Sequence, residues 1–125
     1  MRLLLDTHIY LWWLQDSQKL SKEARTKIIA ASEVYVSSAS IWEAAIKVGI
    51  GKLEADVSQL ISEIENSGFQ ELPISAKHAL TVMQLPDIHK DPFDRMLVSQ
   101  AISEPLRLLT VDPILKGYSE LVEII

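Results

Sequence analysis

The 125-residue chain is 48% hydrophobic and 23% charged, the balance expected of one ordinary globular domain over residues 1–125. It has no cysteine, which excludes disulfides and thiolate metal sites, and no apolar run near the ~20 residues that a bilayer-spanning helix needs. A net charge of −5 disfavours nucleic-acid binding through a basic surface, but an acidic chain can still handle a polyanion through metal ions between its carboxylates and the phosphates. In chain order, Leu3–Leu5 is an uninterrupted apolar run ending at Asp6, the mark of a strand buried on both faces. Ile9, Tyr10, Trp12, Trp13 and Leu14 then follow at a spacing that suits a helix. Leu20–Ser32, with Ser21 as N-cap, reads as a second helix, and Val34–Ser37 as the second strand. A helix over Ser38–Val48 is stopped by Gly49-Ile50-Gly51.

Asp56 opens an amphipathic helix through Val57, Leu60, Ile61 and Ile64, ended at Gly68. Phe69–Ile74 is a third strand broken by Pro73, and Ser75 caps a helix from Ala76 to about Leu85. After a loop at Pro86–Lys90, Asp91-Pro92 supplies an acidic N-cap with proline at the first helical position, and that helix runs to about Ser103. Leu106–Val111 is a fourth buried strand, Asp112-Pro113 starts a short helical turn, and Leu121–Ile125 is a fifth strand. Strands alternating with helices require crossover connections, so the fold class is α/β, a mostly parallel sheet of about five strands with helices on both faces.

Four acids occupy a common kind of position. Asp6 and Asp112 each directly follow a buried strand, while Glu43 and Asp94 fall early in helices. In a parallel sheet the carboxyl ends of strands and the starts of crossover helices share one edge, where such sheets bind ligands. Singly, each acid also has a structural reading. Ser40-Ile41-Trp42-Glu43 matches a capping box, Asp91 and Asp94 suit an N-cap and the first turn, and Asp112 before Pro113 suits a turn. Two stripes favour chemistry. Asp94 aligns with Leu97, Val98 and Ala101, and Glu43 with Ile46 and Ile50, so each carboxylate lies among residues expected to face the core. A half-buried acid is costly unless paired or bound to a cation, and all-oxygen ligands select Mg²⁺ or Mn²⁺.

The strand-end Asp6-Thr7, the segment SASIWEAAIKVGIGKL, the segment HKDPFDRMLVSQA and the segment LLTVDP together resemble PIN-domain ribonucleases, in particular VapC-type toxins of toxin–antitoxin pairs. The resemblance covers essentially the whole chain. It implies a PIN-like three-layer fold and a cytoplasmic, homodimeric endoribonuclease whose catalytic and metal-binding residues are Asp6, Glu43, Asp94 and Asp112. It further implies a Mg²⁺ (or Mn²⁺) cofactor, an RNA substrate, products with 5′-phosphate and 3′-hydroxyl ends, and inhibition by a cognate protein antitoxin. Thr7 and Thr110 would support the acids, and Asp91 would cap its helix, join the metal shell, or do both.

Two other classes stay open. A receiver-type phosphoacceptor domain needs a suitable acid at the end of a middle strand, which FQELPI lacks, and a non-catalytic interaction module would use the acids only to hold a basic partner. Among the histidines, His8 and His78 read as structural or solvated, and His89 alone as a possible substrate contact. Trp12, Trp13 and Trp42 read as core or interface packing, with base stacking left open but without independent support. Lys47, Lys52, Lys90, Arg95 and Lys116 flank the acids and could offset their charge. If four acids crowd together, Asp6→Asn is expected to keep the fold and slightly stabilise the metal-free protein.

Overall fold

In the computed structural model, which describes residues 1–125, β1 (Arg2–Leu5) lies at the centre of a five-stranded sheet. Its place follows from its sequence. Leu3, Leu4 and Leu5 are all fully buried, which only a strand covered on both faces allows. Each buried leucine contributes about 1.5–3 kcal/mol of apolar transfer. On one side β1 pairs with β2 (Glu33–Ser37), which pairs with β3 (Gln70–Leu72). On the other side it pairs with β4 (Arg107–Thr110), which pairs with β5 (Val122–Ile124). All four pairings are parallel, and the order is β3-β2-β1-β4-β5.

The helices are α1 (Thr7–Leu14), α2 (Lys22–Ala30), α3 (Ser38–Gly49), α4 (Val57–Asn66), α5 (Ala76–Val82) and α6 (Pro92–Ser103), with a 3₁₀ turn over Pro113–Tyr118. Strand alternation divides the core in two. Leu3 and Leu5 join Ile9, Tyr10, Ala24, Ile28 and Ile64 on one face, whereas Leu4 joins Leu97, Val98, Ala101 and Leu115 on the other. Helices therefore cover both faces, as the alternation of elements predicts. No helix is long and apolar enough to cross a membrane.

Caps fix where the helices begin. Ser21, Asp56, Ser75 and Asp91 each accept a backbone N–H at the start of α2, α4, α5 and α6. The predicted α6 start, with Asp91 as N-cap and Pro92 at the first position, is observed as read. The capping box at Ser40–Glu43 is not. β2 runs straight into α3, Ser37 both ends the strand and caps the helix, and Ser40 and Glu43 lie inside the helix. The chain leaves β1 for one side of the sheet and returns on the other, so the order reverses between β1 and β4. That reversal opens a crevice at the carboxyl ends of these two strands, the usual ligand position in open α/β sheets.

Candidate metal centre

Asp6, directly after β1, and Asp112, separated from the end of β4 by Val111 alone, flank this crevice. Asp6 is 4% exposed and serves two purposes. Its Oδ1 accepts the His8 backbone N–H at 2.9 Å, capping α1, and its Oδ2 accepts the Thr110 hydroxyl at 2.7 Å across the β1–β4 seam. Burial opposes charge on Asp6, but the hydrogen bonds from His8 and Thr110 outweigh it and hold this carboxyl below the usual range. In return, the carboxylate 3.7 Å from His8 Nδ1 draws that imidazole upward. The Thr110 hydroxyl also accepts the Asp112 backbone N–H at 3.1 Å, so one buried side chain sets both strand-end acids. Thr7 donates to Ser40 at 2.8 Å in a buried contact that ties the start of α1 to α3.

Asp94 and Glu43 arrive on helices. α6 leads into β4, so its first turn lies at the carboxyl edge, and Asp94 stands in that turn. Asp91 Oδ1 accepts the N–H groups of Phe93 and Asp94 at 2.8 and 3.1 Å, which assigns Asp91 to capping. Leu97, Val98 and Ala101 on the Asp94 stripe are buried, as their spacing predicts. The Glu43 stripe behaves otherwise: Glu43 is only 8% exposed, yet Ile46 is 42% and Ile50 61% exposed. The periodicity places Glu43 among core residues, but only its own turn faces inward. Its carboxylate meets Lys47, one turn on, at 3.2 Å.

These acids act on one another. The Asp94 carboxyl is pushed up to about 7, by burial first and then by the negative charges of Asp6, Asp91 and Glu43, with His89 opposing. Three chain segments, those of Asp6, of Glu43 and of Asp91 with Asp94 itself, thus bring acid within electrostatic reach of one carboxyl. The tightest group is a subset. His89 Nε2 and one carboxylate oxygen each of Asp94 and Asp112 lie within 4.8 Å of one another, whereas Asp6 and Glu43 stand outside that triangle. His89 Nε2 is 3.4 Å from Asp94 and 3.2 Å from Asp112. Its Nδ1 accepts the Asp91 backbone N–H at 3.1 Å, so the neutral ring carries its hydrogen on Nε2 and donates to the acids. The His89 loop is fixed in turn by Tyr118, whose hydroxyl accepts the His89 N–H at 2.7 Å.

Sequence reasoning keeps His89 as a substrate contact; the structure makes it a neighbour of two acids. Only contact across 23 residues shows this, and no local pattern encodes it. His78 is structural, as expected: it is buried, completes the α5 capping box and meets Glu104 at 2.5 Å. The expected basic flank dissolves in part. Arg95 donates to the carbonyls of Val82, Pro86 and His89, and Lys116 to those of Glu120 and Val122. Lys47 alone meets one of the four acids. Trp42 is not core: it is 59% exposed, edge-on to Phe93 at 5.0 Å between centroids. A cation at this edge fits the donor set. Oxygen-rich ligands suit a hard divalent ion, and the Asp94 carboxyl, raised by burial first and by its acidic neighbours second, is a group that a cation would help to ionise.

Comparison with known proteins agrees with this architecture. The PIN domain family model matches residues 3–121. Ribonuclease VapC22 of Mycobacterium tuberculosis is 32% identical, the match covering 92% of this chain and 90% of the relative. Three solved complexes share the fold. VapBC2 of Rickettsia felis bound to a promoter DNA fragment superposes with a TM-score of 0.73 at 20% identity, over 99% of this chain and 98% of that one. A toxin–antitoxin complex of Klebsiella pneumoniae gives 0.67 at 19% identity, over 97% and 95%. DNA-bound VapBC of Salmonella typhimurium gives 0.67 at 16% identity, over 99% and 96%. A family model that spans nearly the whole length, together with a relative above 30% identity, establishes that this chain belongs to the PIN-domain family, in its VapC group.

Proposed function

We propose that this protein is a divalent-metal-dependent endoribonuclease, the toxin of a toxin–antitoxin pair, that hydrolyses RNA phosphodiester bonds at the carboxyl edge of its sheet. The observation that carries the reading is that Asp94, which shares His89 with Asp112, is half-buried within reach of the charges of Asp6 and Glu43, burial and these charges together holding it near 7. The name of the M. tuberculosis relative supports the substrate class, and the neighbouring complexes support an antitoxin partner. Exposed apolar side chains on α3 and α5 and at their carboxyl ends, Ile46, Ile50, Leu80 and Met83, are the surface a second copy would cover.

Asp6, Glu43, Asp94 and Asp112 would hold Mg²⁺ or Mn²⁺. Such an ion supplies a nucleophilic hydroxide at neutral pH and neutralises charge on the phosphate. The residues have separable duties. Asp6 is held in one orientation by its bonds to the His8 amide and Thr110. Thr110 transmits that orientation to Asp112 through its backbone N–H. Asp94 must give up a proton to bind a cation, so its loading falls as pH drops below about 7. His89 presents an N–H toward the same oxygens and can turn it to a phosphate oxygen or to the departing 3′-oxygen. Hydrolysis that breaks the P–O3′ bond leaves a 5′-phosphate and a 3′-hydroxyl.

The test is cleavage of total RNA by purified protein with Mn²⁺, with and without excess chelator. Cleavage that requires the metal supports the reading; RNA left intact at every metal concentration refutes it and leaves an acidic binding module.

A further inference from the structure

Glu43 and Lys47 stand one turn apart on α3, with the ammonium 3.2 Å from the carboxylate. This is not an ordinary surface pair on a helix. The Glu43 side chain is only 11% exposed against 36% for Lys47, so the lysine reaches inward to a nearly enclosed acid. Helical geometry also sets Lys47 apart from the apolar residues of α3. It lies on the flank of Ser40, which bonds Thr7 of α1, whereas Ile46 lies on the flank of Trp42, against Phe93 of α6. The charge of Lys47 opposes that of a protonated His8, which agrees with an ammonium on the side of α1 and Asp6. A carboxylate so buried is costly without a cation, and Lys47 supplies one from the chain itself. A divalent ion competes for the same oxygens. Asp6, Glu43, Asp94 and Asp112, when ionised, carry four negative charges and one divalent ion cancels two, so a phosphate still meets an acidic edge once the ion is in place. The cation that can make up the difference is already there.

We propose that Lys47 serves two partners in turn: it neutralises Glu43 until a divalent ion takes that carboxylate, and then gives its ammonium to a non-bridging oxygen of the phosphate on that ion. The inference rests on the ribonuclease reading and deepens it, since the cation that guards the acid becomes a contact of the substrate. The movement needed is short. Two oxygens held by one hard ion stand about 3 Å apart. A phosphate oxygen next to Glu43 on the ion is therefore within reach of an ammonium that already sits 3.2 Å from the Glu43 carboxylate. Lysine suits the exchange, because its charge is a compact point on a flexible stem with three rotatable donors, whereas a guanidinium forks onto a carboxylate and holds it. The exchange has a signature that plain structural support lacks: Lys47 works against the ion and in favour of the RNA.

The experiment reads the two halves separately on wild type, Lys47→Gln, Lys47→Arg and Lys52→Gln. Lys52 is exposed and makes no ion pair, so its variant controls for the loss of one positive charge. Circular dichroism and urea unfolding establish that each variant is folded. Mn²⁺ affinity is measured by titration calorimetry without RNA. Lys47→Gln is expected to bind Mn²⁺ about two- to fivefold more tightly than wild type, and Lys52→Gln to change clearly less. Binding of 5′-labelled oligouridylate is then measured by fluorescence anisotropy in saturating Ca²⁺, which replaces Mn²⁺ so that no cleavage intervenes. Lys47→Gln should bind the RNA about fivefold more weakly, and the slope of log affinity against log salt should fall by about 0.7, the share of one phosphate contact to a single strand. Lys47→Arg should keep that slope. Weaker Mn²⁺ binding in Lys47→Gln would make Lys47 a structural support of Glu43 and overturn the proposal. Unchanged Mn²⁺ binding, or an RNA affinity and salt slope equal to wild type, would overturn it as well while the nuclease reading stands. Failure of wild type to bind or cleave any RNA defeats the nuclease reading itself, and the proposal with it.

Discussion

Replacing Asp94 with Asn should stabilise the metal-free protein at neutral pH, because the wild-type side chain must ionise beside other acids in a partly buried position. The carboxyl is raised from an ordinary 3.8 to about 7. For a fully shielded group that difference would be worth about 4 kcal/mol. Asp94 retains about a fifth of its side-chain exposure, and solvent screens its neighbours, so an expected effect on the order of 1–2 kcal/mol is more realistic. The sign follows from proton linkage. The folded protein binds a proton on Asp94 more tightly than the unfolded chain does, so this stabilisation is fully present below about 3.8. It declines as pH rises and is lost above about 7. The amide of the Asp94→Asn variant cannot ionise, so its gain over wild type should be small at pH 4 and grow to its full value by pH 8. Urea unfolding of both proteins with chelator, at pH steps from 4 to 8, measures it. A variant that is less stable at pH 8, or a difference that does not change with pH, would refute the reasoning.

The other predictions concern the neighbours of Asp94. Asp6→Asn is expected to destabilise the fold by about 1–2 kcal/mol, because it weakens the α1 cap and sets an amide N–H against the Thr110 hydroxyl; urea unfolding decides. That replaces the expectation of slight stabilisation drawn from charge crowding alone. Thr110→Val should cost about 1–3 kcal/mol and weaken Mn²⁺ binding, since the buried Asp6 carboxylate and the half-buried Asp112 amide lose their partner; a variant equal to wild type in both measurements would contradict it. His89→Ala should bind Mn²⁺ as tightly as wild type or a few-fold more tightly in calorimetry, because the Nε2–H competes for carboxylate oxygens, and clearly weaker binding would instead make Nε2 a ligand. An antitoxin that inhibits by placing an Arg among the acids should lose potency as Mn²⁺ is raised, and its Arg→Ala variant should lose more. Inhibition indifferent to both would mean that it blocks the RNA path instead.

Much of the fold was legible because its signals are local. Leu3–Leu5 demands burial on both faces, and Asp91-Pro92 announces a helix start; both are found where the residues indicate. Boundaries moved by one to three residues, as at β3, which is Gln70–Leu72 where Phe69–Ile74 was expected, and at α5, which ends at Val82 and not near Leu85. Glu43 was misread twice for one reason. With no loop between β2 and α3, Ser37 takes the cap that Ser40 seemed to offer, and the apolar residues beyond Glu43 run on into solvent. The positions of the four acids were legible because strand ends and crossover-helix starts share an edge. Of their supports, Thr110, which reaches Asp6 across 104 residues, was named by the family resemblance and by no local pattern, while the contact of His89 with Asp112, through a loop with no periodicity, was not foreseen. Trp42 has the chemistry of a core residue, and only the packing of α3 against α6 reveals that it is exposed.

The central claim is that the four acids, acting together, make this edge a nuclease. End-labelled RNA, incubated with Mn²⁺ and either wild type or one of Asp6→Asn, Glu43→Gln, Asp94→Asn and Asp112→Asn, tests it most directly. Each single change is expected to reduce the cleavage rate by about a hundredfold or more, with circular dichroism showing folded protein in every case. A folded variant at any of the four positions that cleaves at the wild-type rate would remove that acid from the site, and persistence of cleavage in all four would contradict the account.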